Sequence, residues 1–218
     1  SSDLPLAQQE LARTNLEKLR QTAPQWYPVA AYLDKKGFTL YRNTQLRYLP
    51  TGEAYLDDML TVLDTAQRFI FVEYFIMAEG QIWDRLSEIL CRKSRQGVEV
   101  KLIFDDFGSM MRMPNEKVEE LQDAGVEVKV FNPVHHYVNR LYFNYRDHRK
   151  ITCVDGDVAY TGGANIADEY ANLIERFGYW KDCGVRLEGE GAWGLTREFL
   201  QMWERMGGGV QHEYDYYR

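Results

Sequence analysis

The chain has 218 residues, 45% apolar and 27% charged, which is ordinary globular material and enough for one sizeable α/β core. A net charge of −7 and a pI near 5.2 argue against a general nucleic-acid binder and against strong electrostatic adhesion to anionic lipid. Apolar runs such as Phe69 to Val72 are too short to span a bilayer, and no signal peptide is visible. Three widely spaced cysteines (Cys91, Cys153 and Cys183), with no C-x-x-C pair, argue against a disulfide framework or a zinc site and for a reducing, cytoplasmic setting.

From the amino terminus, Leu6, Leu11, Leu16 and Leu19 give Leu4 to Arg20 a helical pattern, which the segment Pro24 to Pro28 is expected to break. Short strands are expected at Phe38 to Leu40 and Gln45 to Tyr48. A helix opens at Thr51-Gly52-Glu53 and runs to about Ala66. Arg68 to Met77 reads as a buried strand. Ile82 to Gln96 is an amphipathic helix with Trp83, Leu86, Ile89 and Leu90 on one face, stopped by Gly97. A second buried strand follows at Val98 to Phe104, then a helix from Asn115 to Ala124 and a strand from Val126 to Phe131. Beyond a hairpin at residues 151–160 come a strand near Cys183 to Leu187 and a helix from Ala192 to Met206. Strands alternating with helices predict an α/β fold: a mixed, largely parallel sheet with helices on both faces.

The hairpin region carries the chemistry. From His148 to Asn165 the sequence is HRKITCVDGDVAYTGGAN, or H-x-K-x4-D-x6-G-G-x-N. Asp155-Gly156 is a tight-turn signal between two strand-like runs. Residues two apart on a strand share a face, so His148 and Lys150 point into one site. The returning strand brings Gly162, Gly163 and Asn165 beside them. Two glycines allow backbone N–H groups close to an anion, Asn165 offers an amide donor, and Lys150 a point charge. An imidazole there is a candidate nucleophile or general acid. A phosphoryl group suits this set best, because its spread negative charge needs several donors.

Other candidates stand nearby. Glu73 interrupts the apolar run FIFVEYFIM, and a buried carboxylate needs a partner, such as Lys150 or an arginine. Asp105 follows a buried strand, a common place for α/β sites. Asp182 precedes the strand GVRL, where its carboxylate could accept the imidazole N–H of His148 that does not attack. Tyr179 and Trp180 read as core packing or a pocket wall. His135, His136, Arg140, Arg146, Arg149 and Lys150, opposed only by Asp147, form a basic patch on an acidic body.

The pattern resembles the HKD motif of the phospholipase D superfamily. Its flanks NYRDHRK (from Asn144) and GGANIADEY (from Gly162) are similar to bacterial cardiolipin synthases. So are LPTGEAYLDDML, FVEYFIM, FDDFGS and FGYWKD, in the family's order from about Leu46 to Met206. The resemblance implies phosphatidyl transfer between phosphatidylglycerol-type phospholipids through a phosphohistidine, with no cofactor and no metal. The catalytic set it implies is His148, Lys150, Asn165, Asp155 and Asp182, with Asp155 expected to brace the hairpin rather than touch substrate. Phosphate binding falls to Gly162, Gly163, Lys150 and Asn165, with Glu73 and Asp105 in support.

Family enzymes carry two such motifs, whereas none of the other histidines, His135, His136 and His212, has lysine two places later. The expected partner is therefore a second motif, in the parent chain or in a symmetry-related copy. Residues 1–36 are expected to be a helical linker after a removed membrane anchor. Residues 37–206 form the catalytic half, and 207–218, opening with Gly207-Gly208-Gly209, start a connector. The parent is expected at the cytoplasmic face of the membrane, reached through segments missing here, with the fragment itself soluble and no nucleic acid bound. Two other readings stay open: a homodimeric phosphodiesterase or nuclease, and a non-catalytic phospholipid head-group binding domain.

Overall fold

The computed structural model describes residues 6–134 and 144–218. The chain divides into two compact units, Ser1–Thr44 and Gln45–Arg218. In the first, helix α1 (Leu6–Thr22) is followed by a single 3-10 turn at Pro24–Trp26 and then by helix α2 (Tyr27–Lys35). The prolines expected to end helical structure instead start it, since Pro28 lies in the first turn of α2, where no N–H is needed. The strand expected at Phe38 to Leu40 is absent. The Leu40 carbonyl accepts from the Asn15 side chain at 2.8 Å rather than from a neighbouring strand.

The second unit is built on one seven-stranded sheet. Its strands are β1 (Thr44–Leu49), β2 (Phe69–Tyr74), β3 (Glu99–Asp105), β4 (Glu127–Phe131), β5 (Lys150–Val154), β6 (Val158–Gly162) and β7 (Gly184–Gly189). They lie in the order β1-β7-β6-β5-β2-β3-β4. The α/β class and the mixed sheet are as expected, but parallel pairing joins β2, β3 and β4 whereas β2–β5, β5–β6 and β6–β7 are antiparallel. The motif hairpin β5–β6 enters antiparallel to β2 and carries β7 antiparallel on its far side. A hairpin inserted in the middle of a sheet must reverse direction, which is why parallel pairing does not dominate.

Helices α3 (Gly52–Leu63) and α4 (Gln81–Arg95) cover one face. Their Leu56, Met59, Leu60, Leu86 and Leu90 pack with Ile70, Val72 and Tyr74 of β2. Helix α7 (Ala192–Arg205) covers the other, where Phe199 stacks on Phe71 at 4.7 Å. With both faces covered, all six residues of β2 and all seven of β3 are buried. Two shorter helices, α5 (Asp106–Ser109) and α6 (Asn115–Asp123), follow β3. Residues 207–218, expected to open a connector, end on the α7 face, where the fully buried Tyr217 donates its hydroxyl to Glu99. Among the described residues no helix is long and apolar enough to cross a membrane.

Candidate active site

The site forms at one end of the sheet, where β2, β3 and β6 finish and β5 and β7 begin. Lys150 is the first residue of β5 and pairs with Tyr74, so both face the α3 side. His148, two residues earlier, shares that face: the Lys150 Nζ lies 3.1 Å from His148 Nδ1 and donates to the His148 carbonyl at 2.7 Å. An ammonium has three donors, so one remains for a ligand. The Lys150 side chain is buried whereas His148 is exposed. Burial lowers the Lys150 pKa to about 8, opposed by the Asp147 and Asp182 carboxylates. Partial burial and the neighbouring Lys150 charge lower that of His148, opposed by Asp147 and Asp105. At neutral pH the pair is therefore a neutral imidazole accepting from a cation, with the ring proton on Nε2.

Sequence reasoning missed Phe75. Its ring lies 4.7 Å from the His148 ring and 5.5 Å from Lys150 Nζ, forming the apolar wall that desolvates both. It sits one residue past β2, inside a run that reads simply as buried strand. Beneath Lys150, the Tyr55, Tyr74 and Thr152 hydroxyls bond in a chain at 2.8 and 3.0 Å.

The structure brings some of the expected residues to this point and turns others away. Asp182 reaches it, but its carboxylate accepts from Trp180 Nε1 (3.1 Å) and the Cys183 N–H (2.8 Å). The bond expected from His148 to Asp182 is not made, because the imidazole turns its Nδ1 to Lys150. Trp180, read as packing or wall, packs edge-on against Tyr170 at 5.4 Å and also orients Asp182. Asn165 is buried and committed. Its Oδ1 accepts from the Ile76 N–H (3.0 Å) and its Nδ2 donates to the Tyr170 hydroxyl (2.9 Å), leaving one amide proton.

The glycines also differ from expectation. The Gly163 N–H donates to the Cys183 carbonyl at 3.0 Å and so is not free for an anion. A Cβ on Gly163 would stand 2.3 Å from Asp182 Oδ1, and one on Gly162 would stand 2.6 Å from the Cys183 carbonyl. The pair is small because β7 and Asp182 press against it. Asp155 lies at the other end of β5, about 16 Å of strand from Lys150. With φ of +54°, it accepts the N–H groups of Gln67, Arg68 and Phe69 at 2.8–2.9 Å, bracing the hairpin to the start of β2.

Glu73 and Asp105 lie on the opposite, α7 face. Glu73 pairs with Arg149 rather than Lys150, because alternation sends Asp147 and Arg149 to the back of the strand that presents His148 and Lys150 at the front. Asp147 joins them through Arg149 Nε at 3.2 Å. Burial, then the Asp147 carboxylate, drives the Glu73 pKa well above its ordinary value. Asp105 caps α5 through the Gly108 N–H (3.2 Å) and accepts from the Asp147 N–H (2.9 Å). Arg146 contacts it at 3.4 Å. Of the described residues of the expected basic patch, Arg146 and Arg149 therefore serve buried carboxylates, and Lys150 faces the site. His135, His136 and Arg140 lie outside the described residues.

A neutral imidazole beside a half-committed ammonium, open to solvent on one side, suits attack on a phosphorus whose oxygens the ammonium holds. The comparisons agree on the family. Residues 59–203 match the family described as cardiolipin synthase, PLD-like domain. An uncharacterized protein of Streptococcus mutans is 45% identical over 189 residues, 86% of this chain and 41% of that protein. A cardiolipin synthase of Oceanobacillus iheyensis is 33% identical over 178 residues, 81% of this chain and 37% of that enzyme. The chain thus spans about two-fifths of the curated relatives it matches. Among solved structures, a phospholipase D family member, Nuc of Salmonella typhimurium, shares the fold. Its TM-score is 0.52 at 18% identity, over 76% of this chain and 93% of that one.

Proposed function

The chain belongs to the PLD-like domain family of cardiolipin synthases, and on that premise we propose that it is one catalytic half of a phosphatidyltransferase. Its substrate is a phosphatidylglycerol-type phospholipid, and its partner is a second motif supplied by the rest of a longer protein. The observation that carries this reading is the contact of Lys150 Nζ with His148 Nδ1 at 3.1 Å on one face of the chain.

Lys150 leaves the imidazole for the phosphate oxygens as substrate enters. Of the two histidines then facing each other, one attacks phosphorus and the phosphorus–oxygen bond to glycerol breaks. The other histidine protonates the departing glycerol oxygen. The hydroxyl of a second lipid next gives its proton to that same histidine and attacks phosphorus, which frees the first. Asp182 balances the Lys150 charge, and Asn165 adds one amide N–H. In the parent protein this takes place at the cytoplasmic face of the membrane.

The test is transfer between phosphatidylglycerol molecules by the full-length protein. His148→Ala is expected to abolish it with the fold intact. Lys150→Ala is expected to cost about 3–4 kcal/mol of transition-state stabilisation, since it removes a preorganised charge. Near-normal rates in either variant contradict the assignment. Strong phosphodiesterase activity from a dimer of this chain alone would move the reading to a two-fold symmetric enzyme.

A further inference from the structure

We propose that the rim of the His148–Lys150 site is a membrane-docking surface that enters the interfacial layer of a phospholipid bilayer by apolar contact. The inference rests on the phosphatidyltransferase reading in one respect: it takes the substrate phosphate to lie at the surface of a bilayer.

Two segments form the rim. After β3, Phe107, Met110 and Met111 are exposed, Met111 almost completely at 97%. Between β6 and β7, Leu173, Ile174 and Phe177 are exposed, Phe177 at 69%. Large apolar side chains gathered in this way have a cost in water and mark an interaction surface. The segments are far apart in sequence but joined in space. Glu169 is buried and binds Arg112 from the first at 2.7 Å and Arg176 from the second at 3.2 Å.

The rim is also continuous with the reacting groups. In the first segment, the Ser109 hydroxyl accepts from the Met77 N–H at 3.0 Å, and Gly108 packs on the Phe75 carbonyl. The Phe75 ring is the wall against His148. In the second, Asn172 holds Trp180 through bonds of 2.7 and 2.9 Å, and Trp180 donates to Asp182 beside Lys150. The rim is thus linked to His148 through Phe75 and to Asp182 through Trp180.

Charge decides the mode of docking. Arg112 and Arg176 share Glu169, and Glu175 lies beside Arg176 in the second segment, so two arginines and two glutamates leave the rim with no net charge. The Arg176 guanidinium also lies 5.1 Å over the Phe177 ring, an apolar body with a cationic tip that suits the head-group layer. The whole chain is negative, −7, and is repelled by anionic lipid. Attachment is then apolar, gains nothing from anionic lipid and is resistant to salt.

The test is flotation of the 218-residue chain with vesicles of phosphatidylcholine alone and of an equal mixture with phosphatidylglycerol, at low and high salt. Binding to phosphatidylcholine at least as strong as to the mixture, and undiminished by salt, is expected. The double variant Met111→Asp/Phe177→Asp should bind at least ~10-fold more weakly, because charges replace groups that enter the apolar layer. Tyr216→Asp, at an exposed aromatic on the opposite end of the sheet, should bind as the parent does. In all three proteins the His148 ring signals should respond alike to inorganic phosphate, which reports on the site separately. Loss of that response in every protein with vesicle binding retained would count against the catalytic reading and not against the rim. No flotation, equal flotation of the double variant, or binding that needs phosphatidylglycerol and vanishes in salt overturns the proposal. So does self-association that the double variant abolishes, which would assign the rim to a second protein surface.

Discussion

At the residue scale, the His148–Lys150 pair is governed by proximity and burial, and Lys150 makes this testable. Its pKa of about 8 lies below the ~10.4 of an unfolded chain. Between those values the unfolded state binds more protons, so stability should rise with pH across that window, and Lys150→Met should remove the rise. Phosphate affinity should fall over the same range as the charge is lost. Urea unfolding and phosphate titration from pH 7 to pH 10 check both. Asp182→Asn should lower the Lys150 pKa further, because the carboxylate supports the ammonium. An unchanged lysine titration in that variant would place Asp182 outside the pair's field. Glu73 has the opposite sign. Its raised pKa means the folded state holds a proton that the unfolded state has lost above about 4.3, so folding weakens as pH rises from that value towards the folded-state pKa. Glu73→Gln should flatten this fall in a stability-versus-pH series.

At the scale of elements, two carboxylates remote in sequence finish structures that the local chain leaves open. Asp155 takes the three N–H groups at the start of β2. Asp168 accepts the Gln81 and Ile82 N–H groups at 3.0 and 2.9 Å, capping α4 where Gly80 offers no side chain. Asp155→Ala should destabilise by about 2–3 kcal/mol, since it strips partners from partly buried donors. It should leave the His148 response to phosphate intact, because the turn lies at the far end of the strand. A phosphate response lost along with stability would mean that the hairpin carries the site more rigidly than its length implies. Asp168→Ala should cost about 1 kcal/mol, the usual worth of a cap.

At the scale of the whole molecule, one motif supplies one histidine, and transfer needs a nucleophile together with an acid for the leaving glycerol. The isolated chain should therefore show little transferase turnover at concentrations where sedimentation shows a monomer. Strong turnover from that monomer would remove the need for a partner half. The sheet explains how a single motif can hold a site at all: the motif hairpin is wedged between β2 and β7, so its reactive end is fixed from both sides. The same wedge divides the sheet into a parallel part, which supplies Phe75 and the first rim segment, and an antiparallel part, which supplies Lys150, Gly163 and Asp182.

The sequence by itself determined what period and spacing control. Alternation placed His148 with Lys150, the Asp155-Gly156 turn placed the hairpin, and apolar runs placed β2, β3 and the helices that cover them. It did not reveal what each polar group would bond to. The Gly163 N–H and the Asn165 amide were expected on phosphate and Asp182 on His148, yet neighbouring strands and side chains claim much of their capacity. Glu73 illustrates the cause. Its local signal said only that a buried carboxylate needs a partner, and strand register decided that Arg149, on the same face, would supply it. Register, remote caps and the Glu169 clamp depend on contacts between residues far apart in the chain, and tertiary packing alone decides those.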